Sequence, residues 1–193
     1  MGFYAYKLDE ATREGLLASI PAKYPQVIAD HITFKTGKEG ESIPELKTAE
    51  IIGVADDGKG LQAAVVRLNG SVERPDEKIL HITWSLDPNG TAPAAFDVMA
   101  KPGKEKEKPY KPVHSNGLMM QTMNTDGTPK TPSNPAWKVE MFEKPIRIGA
   151  DAVYIGDDKT ITPARMHDSE PMGIKPETIE RVMSPPETQV RTL

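Results

Sequence analysis

The stretch LHITWSL, residues 80–86, alternates polar and apolar side chains along its length. Successive side chains on a strand point to opposite faces. The pattern therefore predicts a strand with Leu80, Ile82, Trp84 and Leu86 in the core and His81, Thr83 and Ser85 lining a groove. The same tripeptide occurs earlier, in DHITF at residues 30–34. There His31 and Thr33 share one face, and Ile32 and Phe34 share the other. The chain has only four histidines, and two of them stand in this repeated setting.

At the start of the chain, FYAYKL (3–8) reads as an aromatic-rich first strand. Asp9 is placed to cap a helix over about 10–20, buried through Leu16, Leu17 and Ile20 and ended by Pro21. AEIIGVAD (49–56) and LQAAVVRL (61–68) read as a hairpin joined through DDGKG. WKVEMFE (137–143) and AVYIG (152–156) read as further strands, TAPAAFDVMAK (91–101) as holding a short helix that starts at Pro93, and PETIERVM (176–183) as another helix. Residues 101–135 are rich in Lys, Pro, Gly, Asn and Thr. They read as a long loop or lid in which GLMMQTM (117–123) is the part able to pack. The order is that of an α+β fold with mainly antiparallel sheet. One domain over residues 1–156 is expected, with a peripheral C-terminal extension over 157–193.

Composition narrows the function. The 193 residues carry a net charge of −4, and no basic stripe stands out, which argues against long nucleic acid as a partner. Cysteine is absent, which removes disulfides and thiolate chemistry. No apolar run is long enough to span a bilayer, and the first residues do not read as a signal peptide, so a cytoplasmic location is expected. Asn69-Gly70 and Asn89-Gly90 read as turns. GVADDGKG (53–60) comes close to a phosphate-binding loop, but Gly60 stands where Ser or Thr is needed and a strand follows in place of a helix.

Two imidazoles and two hydroxyls gathered at one point suit phosphodiester chemistry. One neutral histidine takes a proton from the attacking hydroxyl or water, and the other, protonated, gives one to the leaving oxygen. Threonine hydroxyls can donate to the non-bridging phosphate oxygens as charge builds there. No metal or other cofactor is required. Tyr4, Tyr6 and Tyr154 can stack a base or simply fill the core, and Arg67 can reach a phosphate or remain a strand-end charge. Ser85 shares the polar face of its strand. His114 and His167 read as solvated, with His114 able to enter the cleft if the long loop closes.

These paired His-x-Thr strands resemble the 2H phosphoesterase superfamily, which includes 2′-5′ RNA ligase-like proteins, cyclic phosphodiesterases and phage nucleases of cyclic-nucleotide immune signals. The resemblance covers residues 3–86 and extends to the strands before 156. It implies a two-lobed α+β fold with one motif from each lobe facing a central cleft. It also implies His31 and His81 as the acid/base pair and Thr33 and Thr83 as phosphate binders. The expected partner is a small cyclic or 2′-5′-linked nucleotide or a short RNA end. The alternative is a nucleotide or RNA-end binding module that uses the same cleft without turnover.

Overall fold

The computed structural model describes residues 1–87, 115–130 and 137–168. The helix expected from Pro93, His114, the Asn89-Gly90 turn and the helix expected over 176–183 lie outside these residues. The strands are β1 (Gly2–Leu8), β2 (Gln26–Val27), β3 (His31–Gly37), β4 (Ser42–Pro44), β5 (Ala49–Asp56), β6 (Leu61–Leu68), β7 (His81–Leu86), β8 (Lys138–Arg147), β9 (Ala150–Ile155), β10 (Ile161–Pro163) and β11 (Arg165–His167). The helices are α1 (Glu10–Ser19) and α2 (Ser115–Thr122). Eight strands run in the order β10-β9-β1-β3-β7-β6-β5-β8, and β2 pairs with β7 beyond β3. All pairings in this sheet are antiparallel. The fold is thus α+β and mostly antiparallel sheet. Among the described residues no helix is long and apolar enough to cross a membrane.

The expected helix forms. The Asp9 carboxylate accepts from the Thr12 backbone N–H at 2.7 Å and satisfies one of the open donors of the first turn. Leu16 and Ile20 then bury against the sheet. Asp9→Ala is expected to cost about 1 kcal/mol, the usual loss for an N-cap, read as a lower denaturant midpoint with an unchanged slope.

The α1 face of the sheet holds the larger core. It is built from Tyr4, Tyr6 and Leu8 of β1, Ile32 and Phe34 of β3, Ala64, Val66 and Leu68 of β6, and Ile82 and Trp84 of β7. The opposite face has two smaller apolar clusters. One joins Ile52, Leu61, Ala63 and Val65 to Leu118, Met119 and Met123 at α2, and the other joins Ala5, Val153 and Ile155 to Phe3. The apolar run expected to pack within the long loop is therefore a helix seated on β5 and β6. Arg74 helps to seat it, reaching Asn116 at 3.0 Å and Asp76 at 2.8 Å.

The pairing register shifts in β3, β7 and β5, and the first two shifts each follow a His-Ile-Thr tripeptide. Between β1 and β3 the register passes from Ala5↔Thr33 to Tyr4↔Lys35, leaving Phe34 as an extra residue. Between β6 and β7 it passes from Ala63↔Thr83 to Gln62↔Ser85, leaving Trp84 extra. Each bulge inserts a large aromatic ring into the α1 core and bends the strand just beyond the motif. A third irregularity, in β5 between Ile51 and Gly53, turns Ile52 toward α2. A Cβ on Gly53 would lie 2.6 Å from the Glu140 carbonyl oxygen, so this crossing needs glycine.

DDGKG is the expected hairpin turn. Gly58 and Gly60 adopt positive φ, the Asp57 side chain accepts from the Lys59 and Leu61 amides, and a strand follows. Beyond residue 156, β10 adds to the sheet edge at β9 and β11 pairs in parallel with β4. Both outer strands of the large sheet carry proline, Pro145 in β8 and Pro163 in β10. That is where a missing N–H donor is tolerated.

Candidate functional site

β3 and β7 meet antiparallel at the pair Ile32↔Ile82. Both isoleucines are fully buried in the α1 core. Their neighbours in sequence therefore point to the other face. Antiparallel pairing centred on Ile32 and Ile82 sets His31 beside Thr83 and Thr33 beside His81. The two tripeptides are related by a local two-fold axis through the isoleucine pair. His31 and His81 are diagonal neighbours, with Cβ atoms about 7 Å apart by ordinary sheet geometry. Two rows cross four strands: Lys7, His31, Thr83, Ala63 and Ala5, Thr33, His81, Val65. Small Ala5 and Ala63 flank the two threonines in equivalent positions. The quartet lies between the two apolar clusters of this face.

The chain enters β3 through Ala29, which has φ 41° and donates its N–H to the Thr83 carbonyl at 3.0 Å. This left-handed turn ends the pairing of β2 with β7 and redirects the backbone so that Asp30 and His31 emerge together. Alanine is unusual in this region, where glycine is favoured.

The two imidazoles are held differently. His31 Nδ1 lies 2.9 Å from Asp30 Oδ2, and Lys7 Nζ donates to Asp30 Oδ1 at 2.7 Å. A carboxylate only accepts, so His31 carries its Nδ1 hydrogen toward Asp30, which in the neutral ring leaves Nε2 as the acceptor nitrogen. His81 Nδ1 donates to the Ile79 carbonyl at 2.7 Å. In its neutral form that bond places the acceptor lone pair on Nε2. His81 is mostly buried and His31 is about one quarter exposed. Burial by itself would raise the Asp30 pKa. The hydrogen bonds from Lys7 and His31, with their charges, outweigh that and hold it below the ordinary aspartate value. Asp30 is therefore an anion at neutral pH.

The other expected contacts separate from the quartet. Tyr4, Tyr6 and Tyr154 lie on the α1 face, away from the histidines, and cannot stack a ligand there. The Tyr4 hydroxyl donates to the Lys38 carbonyl and that of Tyr6 to the Pro44 carbonyl, while burial pushes the Tyr6 phenol pKa up. Tyr154 packs on Tyr4 with ring centroids 4.9 Å apart. Ser85 was expected beside His81 and Thr83, but the Trp84 bulge turns it to the α1 side. There it donates to Gln62 Oε1 at 2.6 Å and accepts from the Tyr24 N–H at 3.1 Å. The same bulge places Leu86 against the α2-side cluster and not with Trp84. Arg67 does face the histidine side, two residues along β6 from Val65, and pairs with Glu50 at 2.7 Å. His167 is exposed and bonds to Ser42 Oγ at 2.8 Å.

Three neighbours of His31 were missed by reading the sequence: Asp30, Lys7 and Phe3. The Phe3 ring is 5.5 Å from the imidazole, centroid to centroid, and half-buried. Asp30 stands next to His31 in sequence, which was a usable signal. Lys7 and Phe3 arrive only through the register of β1 on β3. Among the described residues no group of three His, Cys, Asp or Glu side chains is placed to hold a metal ion. Comparison with protein-family models, curated proteins and solved structures returns no match.

Proposed function

We propose that this protein is a metal-independent phosphodiesterase of the 2H type, acting on a cyclic phosphate or a small cyclic or 2′-5′-linked nucleotide. The observation that carries the reading is the Ile32↔Ile82 pairing, which gathers His31, Thr33, His81 and Thr83 on one face of the sheet. In this reading the two halves of the sheet that meet at this pair are the two lobes, and the quartet is the floor of the cleft. The phosphate sits over the local two-fold axis. One Nε2 takes a proton from the attacking water and the other donates one to the leaving oxygen. The two threonine hydroxyls hold the non-bridging oxygens, where negative charge grows in the transition state. The chain is acidic overall, which favours a small anionic substrate over a long polyanion. Anti-immune cleavage of a cyclic-nucleotide signal, of the phage type, falls within this substrate class.

A turnover screen in the presence of a chelator tests the proposal. Nucleoside 2′,3′-cyclic phosphates, cyclic di- and trinucleotides and 2′-5′ oligoadenylate are the substrates to include. At least one should be hydrolysed at a rate the chelator does not change. Loss in chelator with recovery on adding a divalent ion would transfer the chemistry to a metal. Tight binding with no product would make the cleft a nucleotide-binding module.

A further inference from the structure

Tyr4, Tyr6 and Tyr154 are turned to the α1 face, and a different ring stands beside the quartet. Alternation along β1 sends Phe3, Ala5 and Lys7 to the quartet face, and the register sets Ala5 beside Thr33 and Lys7 beside His31. Phe3 leaves the strand four residues from Lys7, about 13 Å away. Its ring nevertheless comes within 5.5 Å of the His31 ring, centroid to centroid. The two side chains therefore lean toward each other over Ala5, which is fully buried. The methyl group of alanine leaves room for this, and a larger side chain there would hold the rings apart.

The Phe3 ring packs against Ala5, Val153 and Ile155 and keeps part of its surface exposed. His31, Thr33 and Thr83 are also partly exposed, whereas His81 is buried. The accessible part of the quartet thus includes the His31 side, where Phe3 lies.

We infer that Phe3 is the wall on which the base of a bound nucleotide stacks while its phosphate rests over the quartet. The inference relies on the phosphodiesterase reading for the phosphate and adds a place for the base. A phenyl ring held by the His31 imidazole and by aliphatic side chains beneath it loses little freedom when a base stacks on it. Every base has a π-face, so the contact favours nucleotides over base-free sugar phosphates, and large purines over small pyrimidines. The ring carries no hydrogen-bonding group and does not by itself choose between adenine and guanine.

Binding of paired ligands with and without a base tests this. Adenosine 2′- and 3′-monophosphates are compared with the 2- and 3-phosphates of methyl riboside, which keep the sugar and phosphate and lack the base. Calorimetric titration of the full chain should show the nucleotide bound about 5- to 100-fold more tightly, the worth of one base–aromatic stack. Uridine monophosphates should show a smaller gap. Phe3→Ala should close the gap and leave the riboside phosphate within about twofold, which also reports that the variant is folded. Phe3→Trp should keep the gap open. A gap that survives Phe3→Ala, or equal weakening of both ligands by it, would overturn the assignment of the base to Phe3. In either case binding of the riboside phosphate that His31→Ala abolishes would leave the phosphate site standing. If the wild-type protein binds none of these ligands, the phosphate site itself fails and takes this inference with it.

Discussion

His31→Ala and His81→Ala should each lower turnover of the cleaved nucleotide by about two to four powers of ten, the span contributed by one general acid or base. Thr33→Ala and Thr83→Ala should lose about one to three, because each removes one donor to the developing phosphate charge. The rate should follow a bell in pH, since only the singly protonated pair of imidazoles is competent. The double histidine variant should be little worse than either single one, as groups that act as a unit are not additive. Steady-state kinetics of the four variants, with circular dichroism to confirm folding, checks all of this. The fold should survive, because these side chains point away from the core that Ile32, Phe34, Ile82 and Trp84 share, though His81→Ala costs some stability since its buried ring donates to the Ile79 carbonyl.

Trp84→Ala should be the most damaging single change to stability, costing about 3–5 kcal/mol, the range for a large aromatic deleted from a core. Trp84 is fully buried in the α1 core, and its indole N–H donates to the Ile20 carbonyl at 2.9 Å, the residue that ends α1. Its loss opens a cavity and frees a carbonyl at the helix end. It also removes the ring that anchors the β7 bulge, so the orientation of Thr83 is affected as well as stability. Chemical denaturation measures the first effect. A turnover loss larger than the unfolded fraction explains would report the second. Phe34→Ala, at the equivalent bulge in β3, should act in the same direction.

Side-chain alternation within HITF and LHITWSL puts each histidine and its threonine on one face of its own strand, while the Ile32↔Ile82 register that sets the two pairs side by side is not readable from either stretch. The Asp9 cap and the Leu16/Ile20 spacing were enough for α1. The bulges were not visible, because an extra residue leaves no mark on the sequence of its own strand. It exists only relative to the partner, as Phe34 does against Tyr4 and Ala5. That is why Ser85 was assigned to the wrong side. Tyr4 and Tyr6 looked like stacking platforms because aromatic rings suit either face of a strand. Their side was set by pairing with Lys35 and Ile32 and by the arrival of α1. The short strands β4, β10 and β11 are too brief to carry a period. Asp30 was in plain view beside His31, but its role depends on Lys7, which the register of β1 brings across.

The most direct measurement is a nitrogen-15 NMR titration of the imidazole side chains with a nucleoside 3′-monophosphate, a product-like ligand. With four histidines in the chain, each ring can be assigned by single substitution. The expected result is that the Nε2 signals of His31 and His81 move together, with one midpoint and one equivalent of ligand, while His167 does not move. His31→Ala or His81→Ala should weaken the binding seen at the remaining ring. Saturable binding that leaves both Nε2 signals in place, or that moves one without the other, would contradict a single phosphate held between the two His-Ile-Thr strands.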